Sequence, residues 1–116
     1  MALGWCACSQ PARSPENLLP DNLAGWTRQS LSPAAPSPAT VVRAFEANYA
    51  GNGKITVRLY ETKSSGSAFE MTQHWREAPN AVSFDKGVYF AVVQWTEADR
   101  RALGEFVRAL QRNLGR

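Results

Sequence analysis

Histidine occurs once, at His74, and cysteine twice, at Cys6 and Cys8. A single imidazole excludes a multi-histidine metal site, and two thiols cannot build a disulfide framework or a four-ligand zinc site. No run approaches the ~18 to 20 consecutive apolar residues of a transmembrane helix. Charge of one sign is also scarce: 13 Lys+Arg against 10 Asp+Glu leaves +3, too mild to mark a nucleic-acid binder by itself. A phosphate-cradling loop is missing too, because Gly51-Asn52-Gly53-Lys54 leads into a strand pattern where a phosphate loop should open a helix. What remains is 116 residues with 44% apolar content, the size and composition of one small domain.

Composition divides that chain near residue 40. Six of the seven prolines (Pro11, Pro15, Pro20, Pro33, Pro36 and Pro38) precede it, and only Pro79 follows. The first 40 residues balance Arg13 and Arg28 against Glu16 and Asp21, so the whole +3 lies on residues 41–116. A segment rich in Pro, Ser and Ala buries little apolar surface against its ordering entropy. The expected organisation is a leader-like tether over 1–15, an N-terminal arm and linker over 16–40, and one α+β domain over 41–116.

The opening Met-Ala-Leu-Gly-Trp-Cys-Ala-Cys-Ser-Gln has small and apolar residues before Cys8 and a polar, proline-containing stretch after it. Ala7 supplies the small residue that would precede a lipidated Cys8. Trp5 fits that pattern poorly, and seven residues are too few for a charged region plus an apolar stretch.

From Val41 the pattern becomes alternating. Arg43, Phe45, Ala47 and Tyr49 share one face, and Ile55, Val57 and Leu59 alternate with Thr56, Arg58 and Tyr60. Ala50-Gly51-Asn52-Gly53 between them reads as a hairpin turn joining strands over 41–49 and 54–61. Ser67 and Glu70 form a capping box for a helix whose apolar stripe is Ala68, Phe69, Met71 and Trp75, which must end before Pro79. A second hairpin follows, turning at Asp85-Lys86-Gly87; its second strand, from Val88 to Val93, is apolar on both faces. Leu103, Phe106, Val107, Leu110 and Leu114 then mark one stripe of a C-terminal helix that starts near Thr96 and Asp99. The expected fold is ββαββα: a four-stranded antiparallel sheet with two helices on one face and a proline-rich N-terminal arm. The arm's Leu18, Leu19, Leu23 and Trp26 are expected to cover the second face.

Leu18-Leu19-Pro20-Asp21-Asn22-Leu23-Ala24-Gly25-Trp26, the strand Val57-Arg58-Leu59-Tyr60-Glu61 running into Ser65-Gly66-Ser67-Ala68-Phe69, and Asp85-Lys86-Gly87-Val88-Tyr89-Phe90 before the last helix form a series. That series is similar to an uncharacterised, domain-of-unknown-function family of exported bacterial proteins. The resemblance spans roughly 18–114 and rests on turn glycines and core aromatics. It implies export and a single α+β domain, and it carries over no catalytic residue.

Catalytic chemistry finds little support. Ser64, Ser65 and Ser67 are cap and loop residues, His74 sits on a helix beside Trp75, and Glu61, Glu70 and Glu77 suit strand-end, capping and solvated positions. The expectation is a non-enzymatic module, without metal or cofactor, binding a protein or small ligand. Trp26, Arg58, Tyr60 and Tyr89 are its candidate contact residues, and Cys8 the candidate lipidation site. The alternative is a cytoplasmic nucleic-acid-binding module stacking bases on sheet aromatics, although its basic residues are scattered among acids. Export to the periplasm or medium, membrane contact only through a lipid on Cys8, and a monomer or weak dimer complete the expectation.

Overall fold

Strict alternation builds the longest hairpin. In the computed structural model, which describes residues 13–116, β3 (Val41–Gly51) pairs in register with β4 (Gly53–Thr62), Phe45 opposite Leu59 and Ala47 opposite Val57. Gly53 closes the turn at φ +123, in the region that favours glycine. The remaining elements are α1 (Pro15–Leu18), β1 (Asn22–Leu23), β2 (Trp26–Pro33), α2 (Ser65–His74), β5 (Ala81–Lys86), β6 (Tyr89–Thr96) and α3 (Arg100–Leu114). Cys6 and Cys8, with the leader-like reading built on them, lie outside the described residues.

The expected four-stranded sheet with two helices on one face is overturned. Six antiparallel strands in the order β1-β2-β3-β4-β6-β5 form a curled half-barrel, accompanied by three helices. The extra strands come from the supposed arm. Trp26–Pro33 pairs along β3, and Asn22 and Leu23 fold back on Thr27 and Trp26. The prolines punctuate these elements without disordering them. Pro15 sits in the first turn of α1, where a missing N–H costs nothing, and Pro33 is the last residue of β2.

Period-two patterning sends Phe45, Ala47, Tyr49, Ile55, Val57, Leu59, Ala91 and Val93 to one face, where they meet Leu103, Phe106, Leu110 and Leu114 of α3. Leu18, Leu19, Leu23 and Trp26 join this same cluster, so they cover the α3 face and not the second one. Phe106 is its hub: Tyr49 meets it edge-on at 5.0 Å and Trp26 at 6.0 Å. Pairs of this kind add ~0.5–1.5 kcal/mol each beyond area burial.

The second face carries α2. Asp85, Phe90, Tyr60 and Ala44 are successive cross-strand partners and therefore share that face. Thr72 of α2 donates to Asp85 at 2.9 Å, and Ala68 is fully buried outside the main cluster. The consecutive burial of Tyr89, Phe90 and Ala91 follows, since β6 is covered on both sides. Ser64, not Ser67, caps α2, its extended backbone (φ −157) allowing the hydroxyl to accept the Ser67 N–H at 3.1 Å. Asp99 caps α3 by accepting the Ala102 N–H at 3.0 Å.

The far end of α3 is closed by the N-terminal segment. The Arg13 guanidinium donates to the carbonyls of Asn113 at 2.9 Å and Leu114 at 3.1 Å in the last turn, where the Arg116 N–H also reaches the Asn113 carbonyl at 3.4 Å. The Asn113 amide returns hydrogen bonds to the carbonyls of Asn17 at 2.9 Å and Leu18 at 3.0 Å.

Candidate functional site

Beyond α2 the second face of the sheet is open and polar. Alternation brings Ser30, Asn48, Thr56 and Gln94 into one cross-strand row over β2, β3, β4 and β6. Thr56 donates its hydroxyl to the Asn48 carbonyl oxygen at 2.7 Å, and the Asn48 amide donates to Ser30 at 2.8 Å. This chain fixes the orientation of the Asn48 amide, and Gln94 stands exposed at the end of the row. The row runs into a groove of about 510 Å³ lined by Asn48, Lys54, Thr56, Asn80, Gln94 and Trp95, among others. Asn80 stands there at φ +58, a conformation asparagine tolerates better than most residues.

The four contact residues expected from the sequence are not brought together. Arg58 and Tyr60 share the open face, two residues apart on β4. Arg58 is engaged by Glu46 at 3.2 Å, an exposed pair worth little stability. Tyr60 lies against Phe90 with ring centres 5.8 Å apart, so Phe90 and not Tyr89 is its aromatic neighbour. Tyr89 points to the opposite face and is 8% exposed; Trp26 is 2% exposed, inside the α3 cluster. Asn48, Thr56 and Gln94 do not stand out in the sequence as contact residues, because polar residues alternating along a strand look like ordinary solvated positions. Their in-register placement on adjacent strands was the available signal.

A second polar group forms at the opposite pole. Arg43 grips the Glu61 carboxylate through two guanidinium nitrogens, Nε at 2.9 Å, and also donates to the Arg13 carbonyl at 2.8 Å. Tyr89 lies beside them, its phenol held above the ordinary value first by burial and then by the Glu61 charge, with Arg13 and Arg43 opposing. The group ties β3, β4 and the N-terminal segment together. His74 is exposed on α2, its Nδ1 2.9 Å from the Glu70 carbonyl. Among the described residues, no three His, Cys, Asp or Glu side chains gather in a way that could hold a metal ion. Among the same residues no helix is long and apolar enough to cross a membrane.

The chain matches no protein-family model, no curated protein and no solved structure.

Proposed function

We propose that this protein is an exported, non-enzymatic binding module that holds a small, hydroxyl-rich ligand in the groove at the open end of its sheet. The observation that carries this reading is the hydrogen-bonded Ser30–Asn48–Thr56 row leading into a groove of about 510 Å³. Side-chain amides offer a donor and an acceptor a fixed distance apart, which matches neighbouring hydroxyls on a saccharide or polyol. Pro79 and Trp95 among the lining residues supply apolar surface for the carbon side of such a ligand. Export rests on the small and apolar residues before Cys8 and on the resemblance described above. The nucleic-acid alternative loses ground because Glu46 engages Arg58 and α2 packs on the sheet face that carries Tyr60.

Titration of isotopically labelled protein with a panel of mono- and disaccharides tests the reading. Amide shifts confined to residues 48–56 and 94–96, and lost in the double variant Thr56→Val with Gln94→Ala, are expected. The reading falls if the whole panel leaves those amides unmoved. It also falls if a single-stranded oligonucleotide at low salt produces the dominant shifts, centred on Arg58 and Tyr60.

A further inference from the structure

The sheet has two edges, and the sequence treats them differently. At one, β1 covers the start of β2, the Arg28 N–H is taken by the Asp21 carbonyl at 2.8 Å, and Pro33 removes a donor at the far end. These are the usual devices that keep an edge from recruiting another strand. The other edge is β5, six residues long, which among the described residues pairs only with β6. Its one Lys stands at the last position, Lys86, and Pro79 lies before its start.

Hydrogen-bond parity shows what that edge displays. The Trp95 N–H donates to the Asn80 carbonyl at 3.0 Å, and these residues are directly opposed in the β5–β6 register. In an antiparallel ladder the inward-bonding residues then alternate: Asn80, Val82, Phe84 and Lys86 face β6. Ala81, Ser83 and Asp85 therefore turn their backbone N–H and C=O groups outward, where no strand among the described residues meets them.

Two clefts flank this edge. One of about 430 Å³ lies between β5 and α2, lined by Thr72, Trp75 and Ala78 with Ala81 and Ser83. The other, of about 330 Å³, lies between β5 and α3, walled by Val82, Phe84, Leu103 and Val107. Val82 is 38% exposed, unusual for a large aliphatic side chain on a strand with clefts on both faces. An added strand sends alternate side chains to opposite faces, so each cleft would receive every second residue. Arg100 and Arg108 line the α3-side cleft, and among the described residues neither takes part in an ion pair. Gly104 lies between them, and a Cβ there would meet the Arg108 guanidinium at 3.5 Å. Eight helical residues separate the two arginines by about 12 Å of rise. An extended chain covers that distance in about four residues.

We propose that the free edge of β5 binds an extended acidic peptide segment of a partner protein as a seventh strand. The recognised pattern is acidic–x–aliphatic–x–acidic, with the central side chain in the α3-side cleft and the acidic groups at Arg100 and Arg108. Backbone hydrogen bonds to Ala81, Ser83 and Asp85 supply the affinity, and the two guanidinium groups choose the sequence. This site lies on a different part of the molecule from the groove and does not depend on the small-ligand reading.

The test is fluorescence anisotropy with a labelled Asp-Thr-Val-Thr-Asp peptide and its Lys-Thr-Val-Thr-Lys counterpart, at low salt and at 0.5 M salt. The acidic peptide should bind at least about tenfold more tightly, and salt should erase most of the difference. Arg100→Glu with Arg108→Glu should reverse the preference. Ser83→Pro removes the central outward donor and leaves the bonds of Val82 and Phe84 to β6, so it should abolish binding of both peptides. Loss of binding in Ser83→Pro counts only where its thermal melt matches the parent; the charge reversal, on a solvated helix face, carries the test otherwise. Equal binding of the two peptides, or an unchanged preference after the charge reversal, overturns the proposal. So does self-association of the free protein that Ser83→Pro removes while neither peptide binds, because β5 would then pair with its own copy.

Discussion

Replacement of Trp26 by alanine probes whether the N-terminal segment belongs to the folding unit. Trp26 starts β2, is 2% exposed and meets Phe106 edge-on at 6.0 Å. A buried indole removes ~150–250 Å² from water, worth about 4–6 kcal/mol at ~25 cal/mol per Å². The edge-on pair adds about 1 kcal/mol, and partial collapse of the cavity recovers some of the loss, which places Trp26→Ala near ~4 kcal/mol. Small domains have ~5–15 kcal/mol in total, so the variant should remain folded with little reserve. In urea, with a slope of about 2 kcal/mol/M, the midpoint should fall by about 2 M with the slope unchanged. Phe69→Ala on α2, at 53% exposure, is the control and should stay within ~0.5 kcal/mol. A loss under ~1 kcal/mol for Trp26→Ala would refute the reasoning, because residues 14–33 would then be an appendage and not two strands and a helix of the core.

Three further outcomes follow from particular atoms. Gly53→Ala should lower the melting temperature by at least about 5 °C, because φ is +123 and the new Cβ would lie 2.6 Å from the Glu97 carbonyl oxygen. Gly25→Ala, at φ +87 with no atom within 4 Å of the added Cβ, carries strain without collision and should lose less. Tyr49 donates to the Pro20 carbonyl at 2.7 Å, and burial chiefly holds its phenol well above the ordinary value of about 10, Arg28 opposing and Asp21 reinforcing. The unfolded chain releases that proton first, so stability is full below about pH 10 and falls as pH rises through it. Tyr49→Phe should cost ~1 kcal/mol at neutral pH and flatten the alkaline fall in a denaturation series from pH 8 to 11; an unchanged alkaline slope would refute the assignment.

The elements whose partners lie nearby in sequence were legible. Alternation located the β3–β4 hairpin to within two residues at its ends, and the Leu103–Leu114 stripe located α3, because each pattern directly reports one buried face. The N-terminal segment was misread because proline content was weighed as a property of the whole stretch. Position matters more: Pro15 starts a helix, Pro33 ends a strand, and Leu18, Leu19, Leu23 and Trp26 between them lie in the main cluster. The sides taken by the helices were also hidden, since a helix stripe says that it is buried and not against which face. The apolar run from Val88 to Val93 pointed to a strand covered on both sides, and α2 over Phe90 with α3 over Ala91 is how that cover is provided. At the candidate site, Arg58 and Tyr60 were visible as a pair on one strand. The Ser30–Asn48–Thr56 row was not, because it exists only once register is known.

The clasp of Arg13 on the last carbonyls of α3 gives the molecule a direction. The chain leaves residue 13 beside residue 114, while the groove is lined by Thr96, ahead of the opposite end of the same helix. Fourteen steps of helix place those two poles about 21 Å apart. A group anchored at residue 13 therefore sits at one pole of the molecule and leaves the groove facing away from it.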